Sequence, residues 1–315
     1  MNAIAQSARA WRVGLIGYGE VGRIVAQDLR QLGVRQVLAC DRKLGTEQQQ
    51  PLLEHARDCG VRLLGSAREL AADCDLLISA VTASQAVAVA QDCAGGLHAG
   101  AWFVDLNSAS PGAKRQAAAA GDGAGGRYVE AAVMTSVPPY RSKVPMLLGG
   151  AHARELEPAL HELGFQGARF GDERLGIVSA TKMCRSVMIK GLEAMVIESF
   201  SAARAYGVED AVLASLAETF PGIDWEKQGA YFFQRVIEHG RRRSEEMREV
   251  ARTVEEIGLR PWSAAGSAER QAWVAELAER GVFGARDQAG FARSPDWRTE
   301  ADRLLAAAAD IQNKD

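Results

Sequence analysis

The stretch Gly17-Tyr18-Gly19-Glu20-Val21-Gly22 has the spacing GxGxxG, which suits a diphosphate held against backbone amides. The first glycine makes a tight turn, the second lets phosphate approach the main chain, and the third lets a helix pack closely on the preceding strand. The pattern arises by chance in many chains, so its setting decides. Here it directly follows the apolar run Val13-Gly14-Leu15-Ile16 and opens a helical stretch through Ile24, Val25 and Leu29. A helix N-terminus would therefore meet the phosphate charge. After a second apolar run stands Asp41, where a carboxylate can accept hydrogen bonds from adenosine ribose hydroxyls, which argues for NAD. Arg42 and Lys43 follow at once, and a guanidinium there suits the extra phosphate of NADP. The reading is a nicotinamide dinucleotide, NAD or NADP, touched by Gly17, Tyr18, Gly19, Glu20, Val21, Gly22, Asp41 and Arg42.

The elements that must position these groups alternate strand and helix. After the first strand and helix come Gln36-Val37-Leu38-Ala39-Cys40, the short Val61-Arg62-Leu63-Leu64, and Asp75-Leu76-Leu77-Ile78-Ser79-Ala80-Val81. The last is apolar enough for burial on both faces, as in a parallel sheet. Val81 and Thr82, at its C-terminal edge, fall where such a sheet opens its ligand crevice and would line the nicotinamide ribose. Thr82 or Ser84 could equally cap an ordinary strand-to-helix turn. A fifth strand, Ala101 to Leu106, ends in the polar loop Asn107-Ser108-Ala109-Ser110-Pro111, and two more strands, 128–133 and 145–150, flank the loop 134–144. Gly121 to Gly126 has the composition of a flexible surface loop.

Beyond Gly176 the pattern becomes helical. Ser179 to Tyr206 has Gly191 as its one breaker, and 209–219, 225–257, 267–280 and 297–311 follow as helices, with 281–296 a break. The expected fold class is an α/β Rossmann domain with a mostly parallel sheet and helices on both faces, followed by an all-α domain. The boundaries are a disordered extension at 1–10, the dinucleotide-binding domain at 11–175 and a helical substrate and dimerisation domain at 176–315.

Bulk properties narrow the partners. With 37 Lys plus Arg against 40 Asp plus Glu in 315 residues, the net charge of −3 gives no electrostatic case for nucleic acid or an anionic membrane. No apolar run reaches the length of a membrane span, and the first ten residues lack the apolar core of a secretion signal, so a soluble, cytoplasmic protein is expected. The five cysteines have no paired spacing and read as reduced, with Cys184 a small buried hydrophobe. Five scattered histidines give no metal-ligand spacing.

In the order Gly17 motif, Asp105-Leu106-Asn107-Ser108-Ala109-Ser110-Pro111, Glu130-Ala131-Ala132-Val133-Met134-Thr135-Ser136, Gly176 and Lys182, the chain resembles the β-hydroxyacid dehydrogenase and 6-phosphogluconate dehydrogenase superfamily. Lys182-Met183-Cys184 is similar to the branch with a phosphogluconate-dehydrogenase-like C-terminal domain of poorly defined function. The resemblance implies that Asn107 contacts cofactor and that Ser108 and Ala109 lie beside substrate. It implies that Met134, Thr135 and Ser136 hold a substrate carboxylate, that Ser186 touches substrate and that Lys182 transfers the proton. The chemistry agrees, because hydride loss from an alcohol needs a base for the hydroxyl proton and reduction needs a donor to the carbonyl oxygen.

Ser186 stands where the family usually has asparagine, Met134-Thr135-Ser136 where it has Ser-Gly-Gly, and Glu245-Glu246 where it has Lys-Asp. A substrate larger or more apolar than a three- or four-carbon hydroxy acid fits Met134. The function expected is an NAD(P)-dependent oxidoreductase acting on a carboxylate-bearing small molecule, as a homodimer. The alternatives are an imine reductase, which generally lacks the lysine, and a non-catalytic NAD(P)-sensing protein. His239 with Arg241-Arg242-Arg243 reads as a solvated or subunit-facing basic cluster, and Tyr231, Phe232 and Phe233 as packing.

Overall fold

The computed structural model describes residues 7–312 except Asp287, Ala289, Gly290, Ala292, Arg293 and Pro295. It divides into two compact units, residues 1–183 and 184–315. The division falls within a helix at Met183/Cys184, eight residues beyond the boundary expected at 175.

The first unit carries an eight-stranded sheet. Its strands are β1 (Arg12–Ile16), β2 (Gln36–Cys40), β3 (Arg62–Leu63), β4 (Leu76–Ser79), β5 (Trp102–Asp105), β6 (Arg127–Val133), β7 (Met146–Gly149) and β8 (Ala168–Asp172). They lie in the order β3-β2-β1-β4-β5-β6-β7-β8, and β6 against β7 is the antiparallel pair. Between strands run α1 (Glu20–Gln31), α2 (Gln50–Cys59), α3 (Ala67–Asp73), α4 (Ala86–Ala94), α5 (Pro111–Gly123) and α6 (Ala153–Glu162). The central strands β1, β2, β4 and β5 are mainly apolar because both faces are covered: Val13, Leu15 and Ile78 belong to one core, and Ile16, Leu77 and Phe103 to the other. Strand order reverses between β1 and β4, so the crevice for a ligand opens beyond the carboxyl ends of those two strands.

The structure corrects several expectations in this unit. Residues 7–10 are not a disordered extension. Ala8–Ala10 form a short turn of helix, Ala8 is buried, and its N–H donates to Glu162, while residues 1–6 lie outside the described residues. Gly121 is not in a surface loop. It is buried in the last turn of α5, beside Tyr128. Both α6 and β8 went unread, for α6 holds Pro158 and several charges, and β8 is an edge strand with alternating exposure.

The second unit is helical: the part of α7 (Ile177–Tyr206) beyond Met183, then α8 (Glu209–Thr219), α9 (Trp225–Glu255), α10 (Trp262–Glu279) and α11 (Trp297–Gln312). The expected helix at 267–280 starts earlier, at Trp262. Phe200, Phe233 and Trp297 centre its core, with Phe200 4.8 Å and Phe233 6.1 Å from the Trp297 ring. A Cβ on Gly240 would come within 2.8 Å of the Gln271 carbonyl oxygen, so the close approach of α9 to α10 needs glycine there.

Phe232 and Phe233 are buried as expected, whereas Tyr231 is exposed. The basic cluster is not a uniformly solvated face. Arg243 is buried in a two-pronged ion pair with Glu193, Arg241 holds Glu279, and Arg242 joins Lys190 on Glu246. Cys184 is exposed rather than buried. Among the described residues, no helix is long and apolar enough to cross a membrane and no cluster suits a metal ion.

Candidate active site

The turn after β1 is built by its glycines. Gly17 has φ +89°, and a Cβ there would lie 2.5 Å from the Ala80 carbonyl oxygen; one on Gly22 would run into the Gly17 carbonyl oxygen. Gly19 differs, because a Cβ added to it meets no protein atom within 4 Å. It is the N-cap of α1 and supplies no side-chain cap, so the first amides of that helix face open space above a bare backbone. Two glycines are thus consumed by packing and the third keeps clear the approach that a diphosphate requires, which is a fit to a dinucleotide.

Around this turn the expected contacts divide. Asp41 fixes the turn through Oδ2, which accepts from Tyr18 N–H at 2.8 Å, and its Oδ1 accepts from Lys43 N–H at 2.9 Å. Its half-exposed carboxylate keeps lone pairs for further donors. Arg42 is exposed and lines, with Lys43, Thr46, Glu47 and Gln48, a surface depression of about 480 Å³. Tyr18 corrects its assignment: the ring is fully buried with its hydroxyl on His55, and the main chain alone is left to face a ligand. Glu20 is exposed and Val21 half-buried in the first turn of α1.

The loops after β4 and β5 are tied together by Asn107. Its Oδ1 accepts from Val81 N–H at 2.7 Å and its Nδ2 donates to Ser79 Oγ at 3.0 Å. The buried amide therefore positions Val81 and the exposed Thr82 at the crevice, a role in addition to the cofactor contact that the resemblance implies for it. Thr82 precedes the turn Ala83–Gln85 without a side-chain cap bond; its hydroxyl lies 3.3 Å from Ser84 Oγ.

Below Asn107 lies a group that sequence reasoning missed. Asp105 and Lys114 are both 1% exposed and pair at 3.0 Å, and Tyr128 donates its hydroxyl to the other carboxylate oxygen at 2.7 Å. Burial, then the charge of Asp105, holds the Tyr128 phenol well above its ordinary pKa, so it stays a donor. Asp105 also accepts from Asn107 N–H at 2.8 Å, which fixes where the next loop begins.

That loop presents Ser108, and Lys182 reaches it: Lys182 Nζ donates to Ser108 Oγ at 2.6 Å. Lys182 comes from α7, whose start is held by Glu130, a wholly buried carboxylate that accepts from Gly176 N–H at 2.6 Å. Ala109, expected beside substrate, is 1% exposed and offers no side-chain surface; Ser110 behind it caps α5 through Ala113 N–H. Met134 and Ser136 are half-buried and Thr135 exposed in the loop after β6, which leaves the sheet at the same end as the Ser108 loop because β5 and β6 are parallel. Ser186 is buried one helical turn beyond Lys182, within the second unit.

Residues 12–168 match the NAD binding domain of 6-phosphogluconate dehydrogenase, and residues 203–274 match a domain of unknown function, DUF1932. Over 97% of this chain and 99% of the other, a solved conserved hypothetical protein from Sinorhizobium meliloti 1021 is 34% identical, with a TM-score of 0.74. The chain belongs to this NAD-binding, DUF1932 family. A second similar structure is a conserved protein of unknown function described as structurally similar to 3-hydroxyacid dehydrogenases, 29% identical over 85% of this chain and 99% of its own, with a TM-score of 0.64. Mycobacterium tuberculosis 3-hydroxyisobutyrate dehydrogenase shares the fold at 17% identity and a TM-score of 0.64, covering 93% and 99% of the two chains. The family's first unit is thus an NAD(P)-binding domain on a 3-hydroxyacid-dehydrogenase-like fold.

Proposed function

We propose that this protein is an NAD(P)-dependent dehydrogenase or reductase that interconverts a β-hydroxy acid, or a related alcohol, with its carbonyl compound, and that Lys182 is its general acid and base. The observation that carries this reading is the 2.6 Å hydrogen bond from Lys182 Nζ to Ser108 Oγ, at the carboxyl end of the sheet where the phosphate-binding turn also lies. Bound nicotinamide supplies or accepts the hydride. Lys182 takes the hydroxyl proton during oxidation and returns it to the carbonyl oxygen during reduction, where its ammonium also offsets the growing negative charge. Ser108 holds the lysine and can share a hydrogen bond with the same substrate oxygen. Thr135 and Ser136 supply hydroxyl donors for a carboxylate, and Met134 supplies an apolar wall for a longer substrate. A homodimer belongs to this reading, supported by Met188 and Met195, 71% and 60% exposed and one heptad apart on α7; sedimentation analysis should return twice the chain mass.

The deciding experiment follows nicotinamide absorbance with purified protein and a panel of hydroxy acids, their ketones and imines. Steady turnover of a hydroxy acid or its carbonyl partner is expected. Turnover confined to imines, or tight dinucleotide binding with no turnover, would overturn the reading.

Two substitutions test the cofactor end. Gly19→Ala adds a methyl into open space, so the melting temperature should stay within about 1 °C while dinucleotide affinity falls about tenfold or more, as a diphosphate loses its close approach. Equal affinity in the variant would show that phosphate does not sit there. Arg42→Ala should lower the ratio of NADPH to NADH efficiency by about tenfold if the guanidinium meets the extra phosphate, and leave it unchanged if Asp41 alone sets the preference.

A further inference from the structure

A chain of hydrogen-bonding side chains leads from a cysteine to the dinucleotide turn. Cys59 Sγ lies 3.6 Å from His55 Nε2, one turn earlier on α2, and His55 Nδ1 lies 2.8 Å from the hydroxyl of Tyr18. Tyr18 is the second residue of the glycine turn, and its own N–H is held by Asp41. The remaining cysteines of this unit are unlike Cys59. Cys40, Cys74 and Cys93 are buried, and burial pushes the first two thiols up to about 12 and the third higher still. Cys59 is half-buried, with an imidazole in reach.

We infer that Cys59 is a modification site for soft electrophiles and peroxides, activated by His55 and coupled through Tyr18 to dinucleotide binding. The arrangement has the logic of an activated nucleophile: thiol, adjacent imidazole N–H, and a third group that orients the ring. Burial and then Arg23 lower the pKa of His55, against a smaller opposing effect of Asp58, so the ring is neutral at pH 7. The Tyr18 hydroxyl, wholly buried on His55, donates to Nδ1, so the neutral ring carries its proton on Nε2 and directs it at Cys59 Sγ, where it stabilises negative charge on sulfur. Burial first, with the Cys59 charge adding to it, raises the Tyr18 pKa, so the phenol stays protonated and remains a donor to Nδ1.

With hydrogen peroxide the step balances. The Cys59 thiolate forms an S–O bond as the O–O bond breaks; sulfur loses two electrons to the peroxide. The departing hydroxide takes a proton from solvent and leaves as water, giving a sulfenic acid that dithiothreitol returns to the thiol. The added oxygen occupies the gap that the His55 ring spans. Displacing His55 strips the Tyr18 hydroxyl of its partner in a position with 0% exposure, and the phosphate turn must shift to satisfy it.

The test uses full-length protein carrying Cys184→Ser, which removes the exposed thiol. Iodoacetamide labelling at pH 7, followed by peptide mass spectrometry, should mark Cys59 ahead of Cys40, Cys74 and Cys93. Adding His55→Leu should slow that labelling about tenfold or more, because the N–H beside the sulfur is gone. Stoichiometric oxidation by hydrogen peroxide should weaken NADPH binding, read by fluorescence titration, by about three- to tenfold, with recovery after dithiothreitol. The oxidation measurement needs no substitution at His55, so it stands even if that variant fails to fold, and neither readout depends on turnover. Equal labelling rates with and without His55, or an unchanged NADPH Kd after complete Cys59 oxidation, would overturn the inference.

Discussion

Lys182→Ala is expected to lower turnover by about 10²- to 10⁴-fold, the usual worth of a positioned acid or base, while dinucleotide affinity changes less than about twofold. The separation follows from placement. Lys182 meets Ser108 on the loop after β5, whereas the groups read as binding the diphosphate and the adenosine ribose lie on the turn after β1 and at the end of β2. Truncating the lysine removes the proton carrier and leaves Gly17, Gly19 and Gly22 untouched. Lys182→Arg is the informative companion, since a guanidinium keeps the charge and can still donate to Ser108 yet does not give up a proton at working pH. It should be nearly as slow as the alanine variant in the direction of oxidation. Steady-state kinetics with a substrate found by the panel, alongside fluorescence titration of NADPH, checks both halves. Turnover retained in Lys182→Ala would remove the lysine from the chemistry and leave its bond to Ser108 as a structural tie.

What sequence alone made legible was what is local. Gly17, Gly19 and Gly22 and the apolar run before them lie within a dozen residues, and the turn they make is set by backbone sterics that any reader of the sequence can apply. Strand and helix alternation carried the sheet as far as β7 for the same reason. Lys182 was legible through family resemblance alone, because a lysine on a helix has no pattern of its own and its partner Ser108 is 74 residues away. The support under the site stayed hidden. Asp105 ends an apolar strand and Lys114 stands in an alanine-rich helix, with no spacing that links them, yet the fold closes one over the other with both at 1% exposure. Asn107 stands in the loop expected at the crevice, and its amide also joins Ser79 to Val81, partners set by sheet order rather than by sequence spacing.

That hidden support predicts the largest stability effect in the first unit. Replacing Lys114 by methionine leaves the Asp105 carboxylate buried beside an apolar side chain, and breaking a buried pair from one side costs about 3–5 kcal/mol. For a unit of this size that corresponds to a fall in melting temperature of roughly 6–20 °C. The Tyr128 hydroxyl and the Asn107 N–H still donate to Asp105, so partial compensation places the expected value toward the lower end. Removing both charges with Lys114→Met and Asp105→Asn should recover much of the loss, because a buried ion pair is worth little more than a well-packed neutral replacement. The double variant should not recover turnover to the same extent. Asp105 sets the position of Asn107, Asn107 holds Val81, and Ser108 follows directly, so an amide that offers one acceptor oxygen in place of two leaves the loop under Lys182 less firmly fixed. Thermal melts of the two single variants and the double variant give the coupling between the charges, and kinetics at a temperature where all are folded separate stability from positioning. A melting temperature unchanged in Lys114→Met would mean that Asp105 finds another way to meet its charge, and the loop would then owe its position to Asn107 alone.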